Sequence, residues 1–302
     1  MEYKLSFLIP ARNEQFLART VQDLLEHTSE ESDIIVGLDG AWADPVLVDH
    51  PRVKVYHVSE AIGQRAMTNR LARLSDAKYL CKVDAHCSFD EGWDTKMLKA
   101  FEETGDNVTM VSTMRNLHAF NWVCPDGHRH YQDKGNTCEC GKGMTQDILW
   151  KAKERPNSTA YRFDKNLEFN YWNEYKAKQE GDLVETLSLQ GSCFMLTREK
   201  YFELDICDET WGSWGGQGAE VALKTWLSGG RVIVNRRTWY AHMFRTKHAT
   251  GFGFPYPNPW AEQQKAKGSL RDTFLNDQWP LAKMTLRDLL GKFAPVPDWD
   301  TL

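Results

Sequence analysis

The sequence predicts an α/β protein with a mostly parallel central sheet, flanked by helices and interrupted by a Cys/His insert. Three observations carry that prediction. Apolar runs without polar alternation at 5–9, 34–38 and 79–83 have the composition of strands covered on both faces. Helically spaced segments at 16–27 and 63–75 lie between them, the alternation expected of a right-handed parallel sheet. Each run also ends in a residue placed for ligand contact: Pro10, Asp39 and Asp84. In such sheets ligands bind beyond the carboxyl ends of the strands.

Taken in order, residues 10–14 read as a loop after the first strand. The helix over 16–27 places Phe16, Leu17, Thr20, Val21, Leu24 and Leu25 on one stripe. The strand over 34–38 closes in Asp39-Gly40, and 53–58 is a third strand. The helix over 63–75 carries Gln64, Arg65, Asn69, Arg70 and Arg73. The strand over 79–83 runs into Asp84-Ala85-His86. Strand alternation there would point carboxylate and imidazole the same way, roughly 7 Å apart, within reach of one metal ion. A polar turn is the competing reading of that tripeptide by itself. A helix over 94–103 and a strand over 108–113 follow, and from Leu117 to about Lys178 the pattern breaks into a polar-aromatic insert. Regular structure resumes with a strand over 187–196. Gly191 lies inside it, where a glycine marks close approach of a ligand or another backbone. A Gly/Trp segment at 211–218, a helix over 219–228 and a strand over 231–235 come next, and His242 follows. A Gly/Pro/aromatic loop at 251–259 and a Pro-punctuated helical tail close the chain. The expected units are therefore 1–116, the insert 117–184, then 185–250, and the tail 251–302.

Composition bounds the function. The 302 residues are 41% apolar, enough for a large core, and the net charge of -5 does not describe a protein coated in basic patches. The first ten residues hold only a handful of apolar side chains before Pro10, too few for a signal peptide or anchor. No other run approaches a membrane span, so the expected compartment is the cytoplasm and no membrane partner is expected. Seven cysteines without an export signal do not describe a disulfide framework. Cys124, Cys138 and Cys140 cluster with His128 and His130; the other four read as small buried hydrophobes.

Several of these pieces together resemble one family. The chain resembles GT-A glycosyltransferases of the family-2 type, and among them looks most like the polypeptide N-acetylgalactosaminyltransferases. Phe7-Leu8-Ile9-Pro10-Ala11-Arg12-Asn13-Glu14 is similar to the family's first nucleotide-binding strand, and Val83-Asp84-Ala85-His86-Cys87 to its Asp-x-His metal motif. Glu91-Gly92-Trp93 follows at the family's distance. Trp214-Gly215-Gly216-Gln217-Gly218-Ala219-Glu220 resembles the Trp-Gly-Gly-Glu segment, and Ala241-His242-Met243-Phe244-Arg245 the Gly-His-Val-Phe-Arg segment whose His is the third metal ligand. The resemblance covers about 1–115 and 185–248. It implies a GT-A fold and a UDP-sugar donor bound by Pro10, Arg12, Glu14, Asp39, Arg65, Asp84, Gly191 and Trp214. It also implies a divalent cation on Asp84, His86 and His242. Two imidazoles and a carboxylate form a mixed nitrogen/oxygen set, which favours Mn²⁺ over Mg²⁺.

Departures from the family are informative. Inverting relatives place a catalytic Asp where Gly218 stands, and retaining relatives have Glu where Gln217 stands. Without a general base there, attack from the opposite face lacks its agent, so transfer with retention is expected. Gln217 is expected on sugar or acceptor hydroxyls, with Glu220 as the nearest remaining acid.

The insert reads as a zinc knuckle. Cys124, one of His128 or His130, Cys138 and Cys140 would suit tetrahedral Zn²⁺, although Cys-x-Cys is tighter than the usual spacing. Such a zinc would be structural, in an insert too polar to build its own core. A similar Cys-Pro-x-Gly-His segment occurs in family-2-like transferases of tailed phages. Hydroxymethylpyrimidine in phage DNA is therefore one candidate acceptor, reached in the host cytoplasm, with Arg236, Arg237, Arg245, Lys247, Lys265, Lys267 and Arg271 supplying phosphate contacts. Protein Ser/Thr or a glycan is the other. A reading from another class is an inactive, zinc-stapled nucleic-acid or sugar binder, against which an intact Asp84/His86/His242 set argues.

Overall fold

The computed structural model describes residues 3–245, 252–254 and 260–299. In chain order the elements are β1 (Leu5–Ala11), α1 (Leu17–His27), β2 (Ser32–Asp39), β3 (Val53–Val58), α2 (Gln64–Leu74), β4 (Tyr79–Val83), β5 (Cys87–Phe89) and α3 (Trp93–Thr104). Next come β6 (Val108–Val123), β7 (Arg129–Tyr131), β8 (Thr145–Ser158), β9 (Tyr161–Phe163), β10 (Phe169–Tyr171), α4 (Asn173–Lys176) and β11 (Leu183–Glu185). The chain continues through β12 (Cys193–Thr197), α5 (Arg198–Glu203), α6 (Gln217–Leu227), β13 (Arg231–His242), α7 (Trp260–Phe274) and α8 (Leu286–Phe293).

The main sheet runs β11-β13-β6-β12-β4-β1-β2-β3. The pairs β1/β2, β1/β4, β2/β3 and β13/β6 are parallel; β12 lies antiparallel between β4 and β6. The unbroken apolar runs have the burial that predicted them: Leu5, Phe7, Leu8 and Ile9 of β1 are fully buried, as are Ile34 and Val36 of β2. The amphipathic stripe of α1 packs Leu17, Val21 and Leu24 into the same core. No helix among the described residues is long and apolar enough to cross a membrane.

Tertiary pairing moves several expected boundaries. Pro10 and Ala11 belong to β1, in register with Gly37 and Leu38, and not to a loop. The strand expected to stop at 113 continues to Val123, so the boundary expected at 116/117 falls inside β6. The strand expected over 187–196 is Cys193–Thr197, and Gly191 lies in the turn before it.

The insert also contributes to a second apolar core, contrary to its polar reading. β6 and β8 form a long antiparallel hairpin with register shifts at 114/115, 115/117 and 118/120. Those irregularities break the period-two pattern by which a strand is recognised. Leu117, Phe120, Trp122 and Trp150 nevertheless pack with Phe16, Met243 and Phe252 as a second apolar cluster. Buried Asp23 ties this hairpin to the sheet: its carboxylate accepts from Ser88 Oγ, Phe89 N–H and Trp150 Nε1 at 2.7–2.9 Å.

Candidate active site

β1, β2 and β4 end side by side, and a cleft opens above them. Its first half, a cavity of about 240 Å³, is lined by Pro10, Arg12, Glu14, Asp39, Gln64, Asp84, His86, Gln190, Ser213, Trp214, His242, Arg245 and Phe254. A second half of about 350 Å³ shares Gln64, Asp84, Gln190 and Trp214. It continues over Lys82, Glu168, Phe169, Gly191, Gln217, Gln263 and Lys267. The two halves meet at Asp84.

Asp84 and His86 are not on a strand. They occupy the bend between β4 and β5, with Asp84 N–H on Ser192 O at 2.8 Å, and Met243 N–H on His86 O at 3.1 Å. β5 pairs antiparallel with the end of β13, setting His242 opposite Cys87. One ligand atom from each of Asp84, His86 and His242 lies within 4.8 Å of the others. His242 Nε2 is 3.3 Å from Asp84 Oδ2, and the two imidazole centroids are 4.9 Å apart.

The electrostatics suit a cation. His86 Nδ1 and both nitrogens of His242 are buried without an aligned hydrogen-bond partner in the protein, a costly arrangement unless another ligand completes it. Burial pushes the His242 imidazole down to about 4 against the pull of Asp84, so it is neutral near pH 7, the form that ligates metals. Burial alone would raise the Asp84 carboxyl; Lys82, His242 and His86 outweigh it and hold the group ionised. Glu14 Oε2 lies 3.3 Å from His86 Nδ1, and its other oxygen pairs with Arg245. Burial opposes ionisation of Glu14, but His86 and Arg245 keep its carboxyl below the usual range. The residues present therefore fit a divalent cation.

Two expected site residues lie elsewhere. Arg65 and Glu220 line neither half of the cleft. They pair with each other at 1% and 0% side-chain exposure, and Arg65 also donates to Gly215 O at 2.6 Å. Glu220 further accepts from Lys224 Nζ at 2.9 Å and Asp208 N–H at 3.1 Å. A charge at position 65 reads alike in sequence whether it faces nucleotide or a buried partner 155 residues away. Gln217 lines the second half, but its Nε2 donates to Cys207 Sγ. Asp39 lines the first half while its oxygens hold the N–H groups of Ile62 and Gly63 at 2.7 and 3.0 Å. Gly218 has a steric reason: a Cβ there would stand 2.3 Å from Leu189 O and 3.0 Å from Gly191 N, and a Cβ on Gly191 would stand 3.0 Å from Gly218 N. An acid at 218 would have to displace that backbone.

Of the basic side chains expected on phosphate, Arg236 bonds Gly181 O, Arg237 pairs with Glu103 and Asp182, Arg245 with Glu14, and Lys267 with Glu168. Lys247 lies outside the described residues. Sequence reasoning missed Lys82, Glu168 and Gln190. A lysine inside the run Tyr79–Val83 was the one available signal.

In the insert, one ligand atom each from Cys124, His128, Cys138 and Cys140 lies within 4.8 Å of the rest. Two tight turns create the cluster, Gly127 N–H on Cys124 O and Gly141 N–H on Cys138 O, both at 2.9 Å. His128 Nδ1 is 3.4 Å from Cys124 Sγ and 3.3 Å from Cys138 Sγ. His130 is in β7 opposite Trp122 and outside this group. Hydrogen bonds, first from Cys138, then Lys142 N–H and His128, bring the Cys140 thiol down to about 7.

The model of glycosyl transferase family 2 matches residues 6–201. The chain belongs to that family. It is 26% identical over 267 residues to polypeptide N-acetylgalactosaminyltransferase 3 of Homo sapiens, covering 82% of this chain and 38% of the relative. The chain spans about half the length, or less, of the curated relatives it matches. A crystal structure of GalNAc-T7 with UDP, GalNAc and Mn²⁺ superposes with a TM-score of 0.65 at 16% identity, over 92% of this chain and 49% of that one. S. aureus TarS 1-349 in complex with UDP-GlcNAc gives 0.56 at 14% identity, over 96% and 71%. The family-2 chain thus has the GT-A fold its sequence resembled.

Proposed function

We propose that this family-2 chain is a metal-dependent glycosyltransferase moving a hexose or N-acetylhexosamine from a UDP-sugar to a hydroxyl acceptor with retention. The observation that carries the proposal is the Asp84/His86/His242 cluster in the first half of the cleft, whose Asp84 also lines the second. Relatives and neighbours with GalNAc- and GlcNAc-related names support an amino-sugar donor, with Mn²⁺ as the cation. When bound, the cation stabilises the negative charge that develops on the leaving diphosphate. Pro10, Arg12 and Asp39 line the nucleotide half, and Trp214 walls both halves. The sugar and acceptor occupy the half lined by Gln190, Gly191 and Gln217.

Retention is supported by the carboxylates the cleft presents. Glu14 is held by Arg245, Asp39 by backbone N–H groups and Asp84 by Lys82. Glu168 pairs with Lys267 at 2.7 Å and is, among the described lining carboxylates, the remaining candidate base for an inverting reaction. NMR of the product linkage is expected to show the donor's anomeric configuration. An inverted product, together with loss of turnover in Glu168→Gln, would reverse this assignment.

The engaged state of Arg236, Arg237, Arg245 and Lys267 favours a protein or glycan hydroxyl over hydroxymethylated DNA as acceptor. UDP release with UDP-GalNAc and UDP-GlcNAc, across peptide, glycan and hydroxymethylated-DNA acceptors, decides among the three. No UDP release with any pair would leave the binding-protein reading instead.

For the insert we propose a structural Zn²⁺ on Cys124, His128, Cys138 and Cys140. Protein purified without chelator is expected to contain about one zinc per chain, and Cys138→Ser to lose it. Stripping the metal should expose the turns at Gly127 and Gly141 to hydrogen exchange before β6 and β8, which have Trp122, Trp150 and Phe120 to hold them. Zinc-free protein with unchanged exchange there would remove the assignment.

A further inference from the structure

The floor of the cleft carries a charge that the donor and metal reading leaves without a role. Lys82 lies near the end of β4, beside Leu8 of β1 and Phe194 of β12, with a side chain 1% exposed. An ammonium this deep needs partners. It donates to Asp84 Oδ1 and, at 2.9 Å, to Gly191 O. Gln64 Nε2 approaches the same Asp84 oxygen at 3.4 Å. Asp84 Oδ2 instead faces His242 Nε2 at 3.3 Å. The two oxygens of one carboxylate are thus divided, one held by protein donors and the other turned to the imidazoles.

We propose that Lys82 is a positioning residue that fixes Asp84 as a one-oxygen ligand and cancels its charge, so that the cation binds firmly only together with the donor diphosphate. This rests on the Asp84/His86/His242 metal reading. The argument is a charge count. Asp84 contributes one negative charge and Lys82 one positive charge, while an imidazole that ligates a metal contributes none; the neighbouring Glu14 is matched by Arg245. A dication entering this set meets an ammonium across a shared carboxylate, and that ammonium, at 1% side-chain exposure, is poorly screened by water. The diphosphate supplies the missing negative charge. Cation and donor must then favour each other by the same factor, since coupling between two sites is reciprocal.

Mn²⁺ binding to the intact protein, followed by electron paramagnetic resonance with and without UDP, tests this. Wild-type affinity for Mn²⁺ is expected to rise at least ~10-fold with saturating UDP. Lys82→Gln keeps an N–H donor while removing the charge, and Lys82→Met removes both. Both should bind Mn²⁺ at least ~10-fold more tightly without UDP and lose most of the UDP effect, whereas Lys82→Arg should behave as wild type. A folded Lys82→Gln protein with UDP-free affinity within about twofold of wild type overturns the proposal. So does wild type that binds Mn²⁺ equally with and without UDP, an arm that needs no variant to fold. If wild type binds no Mn²⁺ even with UDP, the metal reading itself has failed and the role of Lys82 falls with it.

Discussion

His242→Ala is expected to lower UDP-sugar turnover by more than ~100-fold, beyond what loss of an outer-shell partner costs a metal site. The protein should remain folded, because His242 ends β13 and the strand's pairing with β5 and β6 is made by backbone. His242 is 5% exposed and both of its ring nitrogens lack an aligned protein partner. The imidazole therefore contributes little to folding through hydrogen bonds and is placed to contribute to a ligand. Asp84→Asn should show the same loss, with weaker Mn²⁺ binding in both variants. Full turnover in excess chelator would sink the assignment, whatever the variants did.

Glu220→Ala is expected to behave in the opposite way, losing about 3–5 kcal/mol of stability. Its carboxylate is shared by Arg65 and Lys224, each with a side chain 1% exposed, and by the Asp208 N–H. Removing it leaves two cations uncompensated in the interior beside Trp211, toward which both are directed. A denaturant midpoint measures the loss. Glu220→Gln, which keeps the volume and some hydrogen bonds, should fall between wild type and Ala, with kcat/KM of the folded fraction nearly unchanged. A Glu220→Gln protein of wild-type stability and greatly reduced kcat would return the residue to the catalytic role the sequence first gave it. Replacing Arg65 and Lys224 with Met alongside Glu220→Leu should recover stability, since well-packed apolar groups often substitute for a buried ionic cluster at little cost, and the set leaves neither cation unpaired.

The contrast between these two residues shows what kind of information each level holds. Buried parallel strands are legible in sequence because their composition differs from everything around them. Leu5 to Ile9 holds one polar side chain, Ser6, and Ile34 to Leu38 none, and β4 begins and ends where its run does. Topology then places the ends of β1, β2 and β4 together, which is why Pro10, Asp39 and Asp84 can be assigned to one cleft from the sequence. His242 was legible through the segment around it, and Cys124, Cys138 and Cys140 through the chemistry of thiols at short spacing.

Partner choice was not legible. A charged residue says that it needs an opposite charge or water, and nothing in the sequence says which. Arg65 and Glu220 satisfy each other; Arg236, Arg237 and Lys267 satisfy carbonyls and carboxylates far along the chain. The insert was misread for a related reason, since its bulged hairpin hides an apolar face that only β6/β8 pairing collects into a core. Gly218 could be read as a missing acid but not explained, because the Leu189 carbonyl that excludes a side chain lies on another segment. The sequence by itself determined the fold class and the strand ends that make the cleft, and through the resemblance it singled out the three residues, Asp84, His86 and His242, that the fold gathers there. The tertiary structure alone decided which charges face that cleft and which neutralise one another beneath it. Strand composition is a local property, whereas the pairing of long charged side chains is settled by whichever neighbour the fold brings within reach.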